Sequence, residues 1–148
     1  MYNRMGLTTQ VSNVLVIARN GMLPDKEING YKIKFVSQPI KINQKDIPLL
    51  QFLDAIKDIK DIPDTSIDKS INVLISKLKS LLSEEFKQLT HLSLQYNPAT
   101  RALLGAIIEN YFSSVDLTEL KKTLNPLTKY KIGITAETLP NLKNWNIK

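Results

Sequence analysis

One histidine, no cysteine and scattered carboxylates limit the chemistry open to this chain of 148 residues. His91 has no second histidine to join it in a metal site, and without cysteine there is no disulfide, thiolate zinc site or sulfur nucleophile. With Leu89 and Leu92 beside it, His91 reads as an ordinary helix residue rather than a general base. Asp54, Asp58 and Asp61 recur near one helical face, a spacing that could gather carboxylates round a divalent ion. Lys57 and Lys60 interleave with them and the opposite face is apolar, so the run reads as a solvated helix surface laced with charge pairs. The five glycines are dispersed rather than gathered into a phosphate loop, and the serines lack an acid–histidine arrangement. The expectation is a protein that is not an enzyme, with no metal and no cofactor.

The cations carry more information. "YKIKFV" (31–36) and "TKYKIGI" (128–134) alternate strictly, placing Tyr31, Ile33 and Phe35, and likewise Tyr130, Ile132 and Ile134, on one side. Lys32, Lys34, Lys129 and Lys131 fall on the other. If the two segments are neighbouring strands, these four lysines crowd one surface together with Arg19. Such a face is either solvated, with lysines guarding a sheet edge from aggregation, or a site for an anionic partner. Aromatic residues do not interleave with the lysines, which favours contact with phosphate or an acidic protein over a base-stacking platform.

The elements that would position those residues can be read along the chain. "SNVLVIA" (12–18) is β-branched and ends at a turn signal, Asn20–Gly21; Asn29–Gly30 announces the next strand, and the two strands read as an antiparallel pair. A helix opens at Asp46 with Pro48 in its first turn, buries Leu49, Phe52, Leu53 and Ile56, and stops at Pro63. Caps at 64–66 precede a stripe of Ile67, Ile71, Leu74, Ile75, Leu78 and Leu82. Ser83 with Glu84 and Glu85 starts a third helix, Asn97 a fourth, and Asp116 with Glu119 a fifth that Asn125–Pro126 ends. The expected fold class is α+β: four to five helices packed with a small, mostly antiparallel three-stranded sheet, in a single domain over residues 1–148.

The fourth helix, "NPATRALLGAIIENYF" (97–112), is apolar nearly all round, as expected of a central helix. Gly105 within it costs roughly 1 kcal/mol of helix propensity, which points to close approach of a neighbour, either the stem of Arg101 or a crossing segment. Arg101 itself has two readings: a structural ion pair with Glu109 or Asp116, or a partner contact at the helix rim.

Formal charge is +6 and unevenly spread. Residues 1–45 hold seven Lys/Arg against two Asp/Glu, residues 46–96 six against eight, and residues 97–148 seven against four. Basic ends favour an anionic partner such as nucleic acid. The first residues lack a signal-peptide pattern and no apolar run is long enough to span a bilayer, so the expected location is cytoplasmic with no membrane partner.

The succession "GLTTQVSNVLVIA", "YKIKFV", "IPLLQFLDAIKDIKDIPD", "NPATRALLGAII", "LNPLTKYKIGI" and "LPNLKNWNIK" resembles the C-terminal region of AbiEi-type antitoxins, bacterial transcriptional regulators of type IV toxin–antitoxin (abortive infection) systems. The resemblance covers almost the whole chain, and "RALLGA" and "LNPLTKYKIGI" are its most specific pieces. It implies an antitoxin-like regulatory domain that counteracts a nucleotidyltransferase toxin encoded nearby, generally without a stable toxin–antitoxin complex. It also implies a contribution of basic surface to DNA binding in transcriptional autorepression. The family places a winged-helix DNA reader ahead of this domain, and "MYNRMGL" falls about where the second domain would start. The chain is then a fragment or a shortened stand-alone version. The competing reading is a non-catalytic interaction or dimerisation module with no nucleic-acid contact; oligomeric state is left open.

Overall fold

The computed structural model describes residues 4–8, 14–19, 24, 26–28, 31–37 and 43–148, with side chains between 14 and 37 described only at Pro24, Glu27 and Lys32. Five helices carry the body: α1 (Ile47–Lys57), α2 (Ile67–Leu78), α3 (Ser83–Ser93), α4 (Pro98–Tyr111) and the short α5 (Thr118–Lys122). A 3₁₀ turn at Gln44–Asp46 leads into α1, and another at Leu142–Trp145 lies near the C-terminus.

The caps follow from side-chain chemistry. The Ser66 hydroxyl accepts from the Lys69 amide at 3.2 Å, and the Asn97 carboxamide accepts from that of Thr100 at 2.9 Å. Glu85 reaches back to accept from the Leu82 amide at 2.7 Å, the acidic half of a capping box. α2 then buries Ile71, Leu74, Ile75 and Leu78, a stripe at helical spacing. Leu82, expected to extend that stripe, is instead the residue before α3 and 71% exposed. α1 ends at Lys57, well before Pro63.

α4 is the central helix. Every residue from Ala102 to Ile108 is buried, so it has neighbours on all faces, among them α1, α5 and the Leu142–Trp145 turn. α1 lies against both α3 and α4. At the far end of α4, Phe112 meets Phe86 of α3 with ring centroids 5.0 Å apart.

The expected α+β architecture is overturned. Residues 43–148, which hold nearly all of the described core, form a helical body with no strand in it beyond a single bridge between Tyr130 and Ile147. Residues 128–134 are therefore not a strand. Tyr130, Ile132 and Ile134 do point inward, each under a tenth exposed, while Lys129, Lys131 and Gly133 point out. The backbone, however, runs over helices rather than along a sheet. Gly133 has φ +89°, a conformation that breaks extended geometry and favours glycine.

Upstream, backbone pairing joins β1 (Val14–Arg19), β2 (Lys26–Ile28) and β3 (Tyr31–Ser37) in the order β1-β3-β2. β1 runs parallel to β3, not antiparallel as the alternation and turn signals suggested; β2 is the antiparallel neighbour. The turns assigned to Asn20–Gly21 and Asn29–Gly30 lie outside the described residues. β3 has a partner on each side, which leaves no place beside it for residues 128–134. The four-lysine sheet face is thus not assembled by strand pairing.

No helix among the described residues is long and apolar enough to cross a membrane.

Candidate functional site: a lysine-rimmed cleft at the start of α4

The end of α1, the first turn of α4 and residues 131–132 enclose a half-open cleft of about 170 Å³. Its floor is apolar, formed by Ile56, Ile59, Leu103 and Ile132, while Lys57, Lys60 and Lys131 stand at its rim. Local structure explains each position. α1 closes with the Asp58 amide donating to the Asp54 carbonyl at 2.9 Å, and the chain then turns, with the Asp61 amide on the Asp58 carbonyl at 2.8 Å. Ile59 and Ile62 anchor this turn in the core, which holds Lys60 outward. Lys131 is forced out in the same way, as the residue between buried Tyr130 and Ile132.

The Lys60 ammonium donates to the Lys131 carbonyl, tying the two walls together. Neither Lys60 nor Lys131 has a carboxylate partner among the described residues; Lys57 lies 3.9 Å from Asp58, with its side chain half exposed. Such a long, exposed pair holds little energy, but Lys57 also acts on the Asp54 carboxylate, so of the three rim lysines only Lys60 and Lys131 lack an ion pair among the described residues.

The carboxylates read as a solvated face do not behave alike. Asp54 is partly buried and accepts from the Tyr96 hydroxyl at 2.9 Å. Burial pushes its carboxyl pKa up, against the lowering effects of that bond and of Lys57. The Tyr96 hydroxyl is pushed up as well, by burial and by the neighbouring Asp54 charge. Among the described residues no group of three or more His, Cys, Asp or Glu is arranged to hold a metal ion, and His91 is exposed.

At the other half of α4 the charges are satisfied. A Cβ built on Gly105 would lie 2.2–2.5 Å from three carbons of the Trp145 ring, so glycine is there to let the indole lie on the helix backbone. One turn further on, Glu109 Oε2 accepts from the Trp145 indole N–H at 3.0 Å, from Asn141 at 2.7 Å and from Asn144 at 3.2 Å. Lys121 sits 3.8 Å from Glu109 Oε1 and 5.1 Å from the centroid of the indole. Partial burial raises the Glu109 carboxyl, but the bonds from Asn141, Asn144 and Trp145, with the Lys121 charge, outweigh it and bring it below the usual carboxylate range.

The acids expected to pair with Arg101 have other partners. Glu109, on α4, is bonded to Asn141, Asn144 and Trp145 of the C-terminal segment, and Asp116 accepts from the Thr118 amide at 2.9 Å. Arg101 forms no ion pair among the described residues, and its Nε is buried without a hydrogen-bond partner.

Of the basic residues singled out from sequence whose side chains are described, Lys131 alone lines the cleft. Lys129 donates to Asn146 Oδ1 at 3.4 Å, and Lys32 is exposed on β3, opposite Glu27 of β2. The side chains of Arg19 and Lys34 lie outside the described residues. Lys57 and Lys60 read from sequence as members of charge pairs with the interleaved aspartates, and Lys57 does lie near Asp54 and Asp58; that both also line a cleft had no sequence signal, because its other walls come from residues 97–103 and 131–132. Trp145 was missed too, although a lone tryptophan among asparagines, in "NLKNWNIK", marks a large ring with polar company. Set against protein-family models, curated proteins and solved structures, the chain matches none.

Proposed function

We propose that this chain is a non-catalytic, antitoxin-like regulatory domain of a bacterial type IV toxin–antitoxin system, counteracting a nucleotidyltransferase toxin and supporting transcriptional autorepression through basic surface. The observation that carries the reading is the gathering of Lys57, Lys60 and Lys131 round one concave site, in a chain of net charge +6. A cationic rim over an apolar floor attracts an anionic partner at long range and offers contact area once it arrives. The ordered likeness of six segments to the AbiEi C-terminal region supports the antitoxin part of the reading. In this reading the working surface is the cleft rather than a sheet face.

The test is growth rescue. The chain is co-expressed with the nucleotidyltransferase that this reading places in the neighbouring gene, and colony formation is compared with toxin alone. Restored growth is expected; continued arrest with both proteins soluble and folded would sink the antitoxin reading.

A further inference from the structure

Three lysines lining one small cleft raise the question of which anion they suit. A carboxylate is planar, presents two oxygens in one plane and is matched best by the flat fork of an arginine. A phosphoryl group is tetrahedral and presents oxygens in three directions, which separate lysine point charges can meet from separate walls. Here the cations come from three places: Lys57 from the last turn of α1, Lys60 from the turn after it, and Lys131 from the segment passing over α4. The bond from Lys60 to the Lys131 carbonyl uses one of its three N–H donors and leaves two for a ligand.

Size narrows the choice further. At about 170 Å³ the cleft is well below the roughly 300–1,000 Å³ of pockets that engulf a drug-sized ligand, so a whole nucleotide would not be enclosed. A single phosphoryl group fits, with the atoms that carry it lying against Ile59 and Ile132. Asn97 and Thr100, at the same wall, add polar side chains, although the Asn97 oxygen is already engaged by the Thr100 amide and hydroxyl.

We infer that this cleft binds a phosphoryl group, held by the ammonium groups of Lys57, Lys60 and Lys131. The inference rests on the proposed role of the cleft as the anionic-partner site, and it names the chemistry that this site recognises.

The experiment is an amide chemical-shift titration of the full chain with inorganic phosphate, a nucleoside triphosphate, a short DNA duplex and an acidic peptide. Phosphate should move the amides of residues 57–60, 97–100 and 131–132, and both the triphosphate and the duplex should move the same set. The tighter of those two identifies whether the group comes from a free nucleotide or a nucleic-acid backbone. Lys57→Ala and Lys131→Ala should each weaken the response about tenfold, the loss of one charge-assisted contact, with melting temperature unchanged. Absence of shifts at these residues, shifts indifferent to both variants, or a response to the acidic peptide alone would overturn the phosphoryl assignment. The growth assay reads separately. Rescue without a phosphate response retains the antitoxin reading and removes this one; a phosphate response without rescue does the reverse.

Discussion

The two halves of α4 treat charge in opposite ways. From Gly105 to Glu109 the helix carries the indole of Trp145 on its backbone, and Glu109 has a partner for each carboxylate oxygen. At the first turns, Arg101 has a buried Nε without a partner, and of the three lysines round the neighbouring cleft only Lys57 has an ion pair, a long one with Asp58, among the described residues. Interactions that hold a fold together are saturated within the chain. Cations without ion pairs beside a concave surface are what the proposed anion site needs, and on that proposal the helix divides into a structural end and a recognition end.

The contrast is broken most forcefully at Trp145. Trp145→Ala removes a ring that is 1% exposed and strands the bonds it organises; a loss of about 4 kcal/mol is expected in chemical denaturation followed by circular dichroism. Gly105→Ala forces the same ring off the helix and should lose about 2 kcal/mol. In the Trp145→Ala background that glycine change should instead be neutral or gain up to about 1 kcal/mol from helix propensity. Simple additivity of the two would refute the claim that Gly105 exists to seat the indole.

Glu109→Gln is the next largest, with a loss of about 1–2 kcal/mol at neutral pH. Its folded pKa lies below its unfolded value, so the stabilisation is present above the ordinary glutamate range and disappears as pH falls through the lowered folded value. The variant should have a flatter acid limb in a stability-versus-pH profile. Part of the slope should remain, because the Thr138 and Thr135 bonds hold Asp68 low as well. An unchanged limb would mean that the carboxylate is not the junction's anchor.

The smallest effect belongs to the other half of the helix. Arg101→Met should change stability by no more than about 0.5 kcal/mol, since it removes a polar atom that already lacks a partner and keeps the stem. A large loss would reveal a structural role for the guanidinium and weaken the contrast.

How far the chain could be read without coordinates depended on the range of the interaction. Ser66 and Asn97 cap helices through atoms within three residues of themselves, and Leu49, Phe52, Leu53 and Ile56 share a face set by helical geometry alone, so these were legible. Alternation at 129–134 correctly separated inward from outward residues, but it records two environments and not what lies beneath them. A segment draped over helices gives the same pattern as a strand. The parallel pairing of β1 with β3 likewise left no local mark. Gly105 announced a close approach without naming its visitor, because Trp145 is forty residues away and its identity is fixed only by packing. The cleft was hardest, since Lys131 reaches Lys57 and Lys60 through that same draped segment.

Trp145 is the chain's sole tryptophan, and it reports on a single junction. Intrinsic fluorescence therefore gauges whether the final segment is seated on α4, whereas the far-ultraviolet dichroism sums all five helices. If the two signals melt together, the tail and bundle are one cooperative unit. If emission shifts to the red first, the C-terminal segment lifts away while the helices persist, and its undocking has a free energy of its own.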